Sequence, residues 1–348
     1  MSEQEHQDLA SFIKGVHHAL RRESKKVGVE RAWAEHCSQH DLLQRYAESM
    51  RRLATEFWDR ESDGGGRSRI DWVAEKCLQY FAHGGAELER EKEKRQEKHL
   101  ISRHNCGVED RDDSRKPERN LQSSITSRLC LLDVGSCYNP FKDFQCFRVL
   151  PIDIAPASPE VLRCNFLDLE VTTPETSDLD WDTMSSSSSV NRLPGSSFHV
   201  VVFSLFLEYL PSPEHRYACC EKAHSLLRDE GLLFIVTPDI RQASRGSVLM
   251  KNWRVALAYA GFSRAYYEKL AHVQCMAYRK CPERSVPMLW AARQKVSGDD
   301  AKLIHIPQDF RDHDATADEF APRFSENDEG RDEEKIVSLF TELPDCIS

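Results

Sequence analysis

The stretch Arg128–Pro156, RLCLLDVGSCYNPFKDFQCFRVLPIDIAP, decides the fold. Leu129 to Val134 is apolar apart from Asp133, which is the length and composition of a strand buried on both faces of a parallel sheet. Gly135 follows at once. Lacking a Cβ, it permits a sharp turn and lets a ligand approach the main chain. Val149 to Ile154 reads as a second strand with Asp153 near its end. A carboxylate about 20 residues past the first strand of a nucleotide-binding sheet is placed to accept hydrogen bonds from a pair of ribose hydroxyls. The competing reading of Asp153 is a strand-end residue capping a turn. Only Ser136 to Phe147 separates the two strands, fewer residues than an ordinary crossover takes. The spacing predicts a short helix starting near Pro140, a residue suited to a first helical position.

Outward from this stretch the pattern continues. Cys164–Leu169 closes another apolar segment with polar groups, so three consecutive strands would bring Gly135, Asp153 and Asn165 to one crevice edge. Phe198 to Leu207 is a fourth strand. Ser212 and Pro213 supply a cap and a first-turn proline for a helix running to Arg228, with Gly231 as its stop. Leu232 to Val236 is a fifth strand, Leu249 to Ala260 a helix, and Arg264–Leu270 with Val273–Tyr278 a closing antiparallel pair. Toward the N-terminus, His6–Lys26, Val29–Cys37, a segment capped by Asp41, and Arg67–Phe81 have helical apolar spacing. Residues 1–100 therefore read as a helical domain, with Glu87 to Lys98 a solvated charged helix. Residues 101–127 read as a polar linker and 128–310 as the sheet domain. Residues 170–196, with the serine run Ser185 to Ser189, read as a flexible insertion, and 311–348 as an acidic disordered tail.

Across 348 residues the chain is 40% hydrophobic, enough for a sizeable core, and no apolar run reaches membrane-spanning length. A soluble, cytoplasmic protein is expected, without membrane insertion. The 12 cysteines show no paired spacing, so reduced thiols are expected in place of zinc or disulfides, and no metal site is assigned. The net charge of −10 argues against a broad grip on nucleic-acid phosphates while leaving room for a local basic patch.

The glycine turn, the strand-end Asp153 and the polar close at Asn165 resemble the S-adenosylmethionine (SAM) site of class I methyltransferases. The wording DVGSCYNPF (133–141), PIDIAP (151–156) and FSLFLEYLP (203–211) is more specific. It resembles the SAMTOR family of SAM sensors upstream of mTOR complex 1, whose fungal relative is an adenine-N1 methyltransferase of large-subunit ribosomal RNA. The implied fold is α/β: a class I SAM-dependent methyltransferase, Rossmann-like sheet domain preceded by an all-helical N-terminal domain that serves as a lid. The implied cofactor is SAM, with S-adenosylhomocysteine as a second occupant. Asp153 with Ile154 would face the ribose, and Gly135 and Ser136 would run beneath the methionine part. Asn165 would meet the adenine amino group, and Phe166 would offer its backbone N–H and its ring as a wall. Asp168 is the competing adenine partner or a turn residue. Ser204 would contact the ligand or satisfy local backbone. Arg69 would reach across from the helical domain to the amino-acid carboxylate, or else be an exposed helix-start arginine. Cys137 and Asn139 stand where methyltransferases carry further glycines.

The resemblance implies association with the GATOR and KICSTOR complexes when SAM is scarce, release by SAM, and recruitment to the lysosomal surface through those partners. The alternative is a methyltransferase acting on an rRNA adenine or another nitrogen acceptor. No Asn/Asp-Pro-Pro-Tyr-type motif follows the fourth strand. Glu208 and Tyr209 are the residues offered in its place, and no catalytic residue is assigned.

Overall fold

The structure, a computed structural model, describes residues 3–58, 67–102, 128–173, 179–239, 243–294 and 302–310. The linker expected over 101–127 lies outside these residues except for its first two, and so does the expected tail over 311–348.

Seven strands make one sheet: β1 (Leu129–Val134), β2 (Phe147–Asp153), β3 (Leu162–Arg163), β6 (Phe198–Ser204), β7 (Leu227–Pro238), β8 (Phe262–Leu270) and β9 (Val273–Lys280). Their order across the sheet is β3-β2-β1-β6-β7-β9-β8. The first five pair in parallel, β9 runs antiparallel to β7, and β8 antiparallel to β9. Numbering only these seven in chain order gives 3-2-1-4-5-7-6, the class I SAM-dependent methyltransferase sheet. The chain order reverses between β1 and β6, which opens a crevice at the C-terminal ends of those strands.

Helices cover both faces, which is why the central strands are mostly apolar. On one face α7 (Pro213–Leu226) and α8 (Ala243–Tyr259) bury Cys220, Ala223, Leu226, Trp253 and Leu257 against Val201, Phe203, Leu233 and Ile235. On the other, α4 (Arg69–Phe81) buries Ile70, Trp72, Val73 and Cys77 against Leu131, Val200, Val202 and Phe234. Three more helices, α1 (Glu3–Val27), α2 (Val29–Cys37) and α3 (His40–Leu53), bring Leu20, Trp33, Leu43 and Ala47 into the first core cluster.

Several expectations are corrected. No helix begins at Pro140. The β1–β2 connection is a series of i→i+3 turns, Lys142 N–H to Asn139 O, Phe144 N–H to Phe141 O and Phe147 N–H to Phe144 O. Few residues are available, and the turns serve to bury Phe141 against Phe147 with ring centroids 6.0 Å apart. Asp41 is not a cap: α3 starts at His40 after Gln39, and Asp41 sits in the first turn, where a carboxylate still favours the helix dipole. Gly231 does not stop α7. That helix ends at Leu226, and Gly231 lies inside β7, where a Cβ would meet Arg228 O at 2.9 Å and His199 O at 3.0 Å.

The stretch 170–196 is not all loop. Strands β4 (Glu170–Thr172) and β5 (Arg192–Pro194) pair in parallel, and between them Asp180 caps α6 (Trp181–Ser186) by accepting from Asp182 and Thr183 N–H at 3.1 Å. The serine run is held too, since Arg163 N–H donates to Ser188 O at 2.9 Å.

The charge run does not form a purely solvated helix. In α5 (Gly85–Ser102), Glu93 meets Arg279 of β9 at 2.5 Å, and Arg90 meets Glu230 at 2.9 Å. Arg279, 1% exposed, also holds Glu230 at 3.0 Å. A guanidinium buried in a strand needs such partners, because the low dielectric leaves an isolated charge severely destabilised. No helix among the described residues is long and apolar enough to cross a membrane. Among the same residues, no cluster of three His, Cys, Asp or Glu is arranged to hold a metal ion.

Candidate functional site

A cleft of about 1010 Å³, counting its open mouth, lies at the C-terminal ends of β1, β2 and β6. Arg69, Gly135, Ser136, Asp153, Ile154, Asn165, Phe166 and Ser204 all line it. Residues from α4, from the loops after β1, β2 and β3, and from the ends of β2 and β6 therefore converge on one space.

The turn after β1 is built by the backbone. Gly135 has φ 75°, and its N–H and that of Ser136 both donate to Ile152 O, at 2.9 and 3.0 Å. A Cβ at Gly135 would lie 3.2 Å from the Phe206 ring. The places lacking glycine still take left-handed backbone, Cys137 at φ 57° and Asn139 at φ 59°, and Leu205 after β6 does so at φ 59°. Such conformations are unfavourable for side chains with a Cβ and persist only where surrounding contacts enforce them.

One of those contacts is Asp153. Its Oδ2 accepts from Cys137 N–H at 3.0 Å and its Oδ1 from Ala155 N–H at 2.9 Å. Asp153 thus closes the turn. A carboxylate has about four acceptor sites, so two backbone bonds leave capacity for hydroxyl donors from the cleft. Burial pushes its carboxyl up to about 6, with the backbone donors pulling it back. Asp133, read from sequence only as the polar exception in β1, also lines the cleft, and burial pushes it up to about 7. Its Oδ2 and the Ser136 Oγ are buried without a hydrogen-bond partner. A lone acid inside an apolar strand was the signal available for it.

Asn165 forms a local turn. Its Oδ1 accepts from Leu167 N–H at 3.3 Å, and its Nδ2 donates to Asp168 Oδ2 at 2.6 Å. The two candidate adenine partners are therefore bonded to each other, and of the two only Asn165 lines the cleft. Phe166 stands edge-on to Phe203 and Phe206, with centroids 5.7 and 6.0 Å away. Ser204 Oγ accepts from Arg69 Nε at 3.2 Å, so these two candidates meet each other. Arg69 is held there by its place in the first turn of α4, where Ser68 accepts from Asp71 N–H at 3.1 Å.

Trp33, Tyr46, Ala47 and Met50 of α2 and α3, with Ala54 just beyond, close the cleft opposite the sheet. Sequence reading missed them, because aromatic residues at helical spacing look like ordinary core. The Cys137 thiol donates to Ala47 O at 3.4 Å, tying the turn to α3. Beneath this roof, His17 Nε2 lies 2.7 Å from the Tyr46 hydroxyl and His36 Nε2 lies 2.5 Å from the Tyr209 hydroxyl, while the two tyrosine rings are 5.1 Å apart.

Burial lowers His17 to about 3 and His36 to about 4. The unfolded chain takes up those protons near pH 6.5, so their contribution to stability is present above that pH and is lost as pH falls toward 4. His36→Gln is expected to be less stable than the parent at pH 7, by about 1 kcal/mol for the lost bond to Tyr209. The deficit should shrink as pH falls from 6.5 to 4.5, by up to about 1.4 kcal/mol per pH unit. Thermal unfolding at a series of pH values checks this, and a constant deficit would contradict it.

The two residues offered for holding an acceptor are both engaged elsewhere. Glu208 accepts from the Thr237 hydroxyl and does not line the cleft. Tyr209 does line it, with its hydroxyl on His36.

The donor set suits SAM. There is an acceptor-rich carboxylate at a strand end for the ribose, two buried unpartnered oxygens beside a glycine turn for the ammonium end, and a guanidinium on the rim for the carboxylate.

No family model matches the chain. Curated relatives do. An "S-adenosylmethionine sensor upstream of mTORC1" of Xenopus laevis is 37% identical over 98% of this chain and 84% of its own length. That of Danio rerio is 36% identical over 98% of this chain and 86% of its own. The chain belongs to this family, the SAMTOR family. Among solved structures, the 1,6-didemethyltoxoflavin-N1-methyltransferase of Burkholderia thailandensis is 13% identical over 44% of this chain and 72% of that one, with a TM-score of 0.27. The N-methyltransferase NodS of Bradyrhizobium japonicum is 12% identical over 44% and 79%, with a TM-score of 0.31. The fold assignment rests on the strand order, not on these low scores.

Proposed function

We propose that this SAMTOR-family protein binds SAM in the cleft and reports its occupancy to mTOR complex 1 signalling. The observation that carries the reading is the 37% identity to a sensor of that name over 98% of the chain. In this reading Asp153 accepts from the ribose hydroxyls, beside Ile154. The Gly135–Ser136 turn faces the methionine part, with Asp133 and Ser136 toward its ammonium. Arg69 pairs with its carboxylate, and Asn165 and Phe166 border the adenine. S-adenosylhomocysteine keeps the nucleoside and the amino-acid end, so the same residues hold it.

Arg69→Ala is expected to weaken SAM binding about 10-fold, the loss of one charge-assisted contact at the cleft rim. Calorimetric titration reads it, and an unchanged affinity would remove Arg69 from the site.

As a sensor, the protein associates with GATOR and KICSTOR when SAM is scarce and leaves them when SAM binds. A ligand held between the sheet loops and the α1–α4 side favours the closed arrangement, and it shifts the equilibrium only by its difference in affinity for the two states. The engaged hydroxyl of Tyr209 and the buried Glu208 favour this reading over methyl transfer. Pull-down of both complexes with and without SAM tests it. Binding that SAM removes is expected; no binding in either condition would favour the enzyme reading.

A further inference from the structure

The segment 302–310 crosses α7 as a strap, with Ile304 and Ile306 buried and Trp253 Nε1 donating to His305 O at 2.6 Å. Its fastening is Arg216, a guanidinium on α7 with no exposed surface. Toward the strap, Nη1 donates to Ile304 O at 3.0 Å and to Asp309 Oδ2 at 2.6 Å, and Nη2 to Asp309 Oδ1 at 3.1 Å. Toward the cleft, Nε donates to Leu207 O at 3.0 Å and Nη2 to Leu210 O at 2.8 Å. All the N–H donors of a guanidinium are thereby used. Asp309 also accepts from Ile306 N–H at 2.9 Å, so the strap is folded around the carboxylate that Arg216 holds.

Leu207 and Leu210 bracket Tyr209, and Tyr209 and Leu210 line the cleft. One rigid fork therefore sets both the strap and the loop after β6. We propose that Arg216 is a positioning residue through which the strap controls the cleft: strap docking and ligand binding strengthen each other. The physical reason is the low dielectric around the fork. If Asp309 leaves, a fully buried cation loses the carboxylate that holds it by two hydrogen bonds, and the guanidinium must shift toward water or another acceptor. Either shift strains or breaks its bonds to the Leu207 and Leu210 carbonyls, and with them the wall that Tyr209 and Leu210 form. Coupling of this kind is reciprocal, so occupancy of the cleft must hold the strap down in turn. A partner that captures the strap would lower ligand affinity without touching the ligand.

The proposal rests on SAM as the ligand, and the test separates the two. Asp309→Asn and Ile304→Glu in the full chain are each compared with the parent by amide hydrogen exchange and by SAM titration. Exchange is read at 302–310 for the strap and at Tyr209 and Leu210, which donate to Phe206 O and Leu207 O at 3.2 Å, for the cleft loop. The variant that frees the strap is expected to speed exchange at Tyr209 and Leu210 and to weaken SAM binding about 5- to 20-fold, within the usual range of coupling between sites. SAM in turn should slow strap exchange in the parent. A freed strap with an unchanged cleft loop and unchanged SAM affinity would overturn the proposal. Retention of the strap in both variants would also overturn it, since Arg216 and Asp309 would then not be its fastening. A parent that binds no SAM defeats the ligand assignment, and the exchange of the cleft loop still decides the coupling.

Discussion

Replacing Asp153 by alanine is expected to abolish measurable SAM binding, a loss of at least about 100-fold. Each hydrogen bond from a ribose hydroxyl to an ionised carboxylate contributes about 1.5–3 kcal/mol, and both are removed together. The substitution also frees Cys137 N–H and Ala155 N–H, which the two carboxylate oxygens now hold at 3.0 and 2.9 Å. Cys137 then loses one of the contacts that enforce its left-handed backbone, so the turn loosens as the ligand contact disappears. Against this, a buried ionised group is relieved, and the melting temperature should fall by only a few degrees. A second signature belongs to the parent. Burial pushes the Asp153 carboxyl up to about 6, and hydroxyl donors favour its ionised form. SAM affinity should therefore fall as pH drops through about 6, by up to about 10-fold per unit. Titration at pH 7.5 and 5.0 reads both effects. Parent-like affinity in a folded Asp153→Ala protein would remove this residue from the site.

Gly135→Asp should do as much damage by a different route. The position has φ 75°, which costs about 1–2 kcal/mol for a residue with a Cβ. The new Cβ would sit 3.2 Å from the Phe206 ring, which must move. The added carboxylate would join Asp133 and Asp153 in the same cleft, where like charges in a poorly solvated space repel. No detectable binding is expected, with a melting temperature several degrees lower. Gly135→Ala carries the strain without the charge and should bind with intermediate affinity. Equal affinity for the alanine and aspartate variants would show that strain, not charge or space, governs the position.

The placement of Gly135 and Asp153 at the cleft was legible because it is set by the backbone. A glycine after a buried strand and an acid at the end of the next are placed by strand pairing, whatever packs above them. The strands themselves followed from the same apolar runs, whereas the sheet type came with the family resemblance and the order across the sheet with the structure. Cys137 and Asn139 were not legible in this way. The left-handed backbone at Cys137 is held by contacts from Asp153 and Ala47, which no local preference reveals. The helix expected at Pro140 failed because proline at a first helical position is only permissive, and the short connection forms turns that bury Phe141. Gly231 was misread for a similar reason. A glycine after an amphipathic stretch looks like a helix stop, but here two backbone carbonyls crowd it inside a strand. The charge run of α5 hid its partners because Arg279 and Glu230 lie far along the chain. The roof of the cleft was equally hidden. Trp33, Tyr46 and Met50 look like core in sequence, and only the tertiary structure sets them around a cavity.

The most direct test of the account is calorimetric titration of the intact chain with SAM at pH 7.5. One saturable site per chain is expected, competed by S-adenosylhomocysteine and absent from the Asp153→Ala protein. A folded parent chain that shows no saturable uptake of SAM would contradict it.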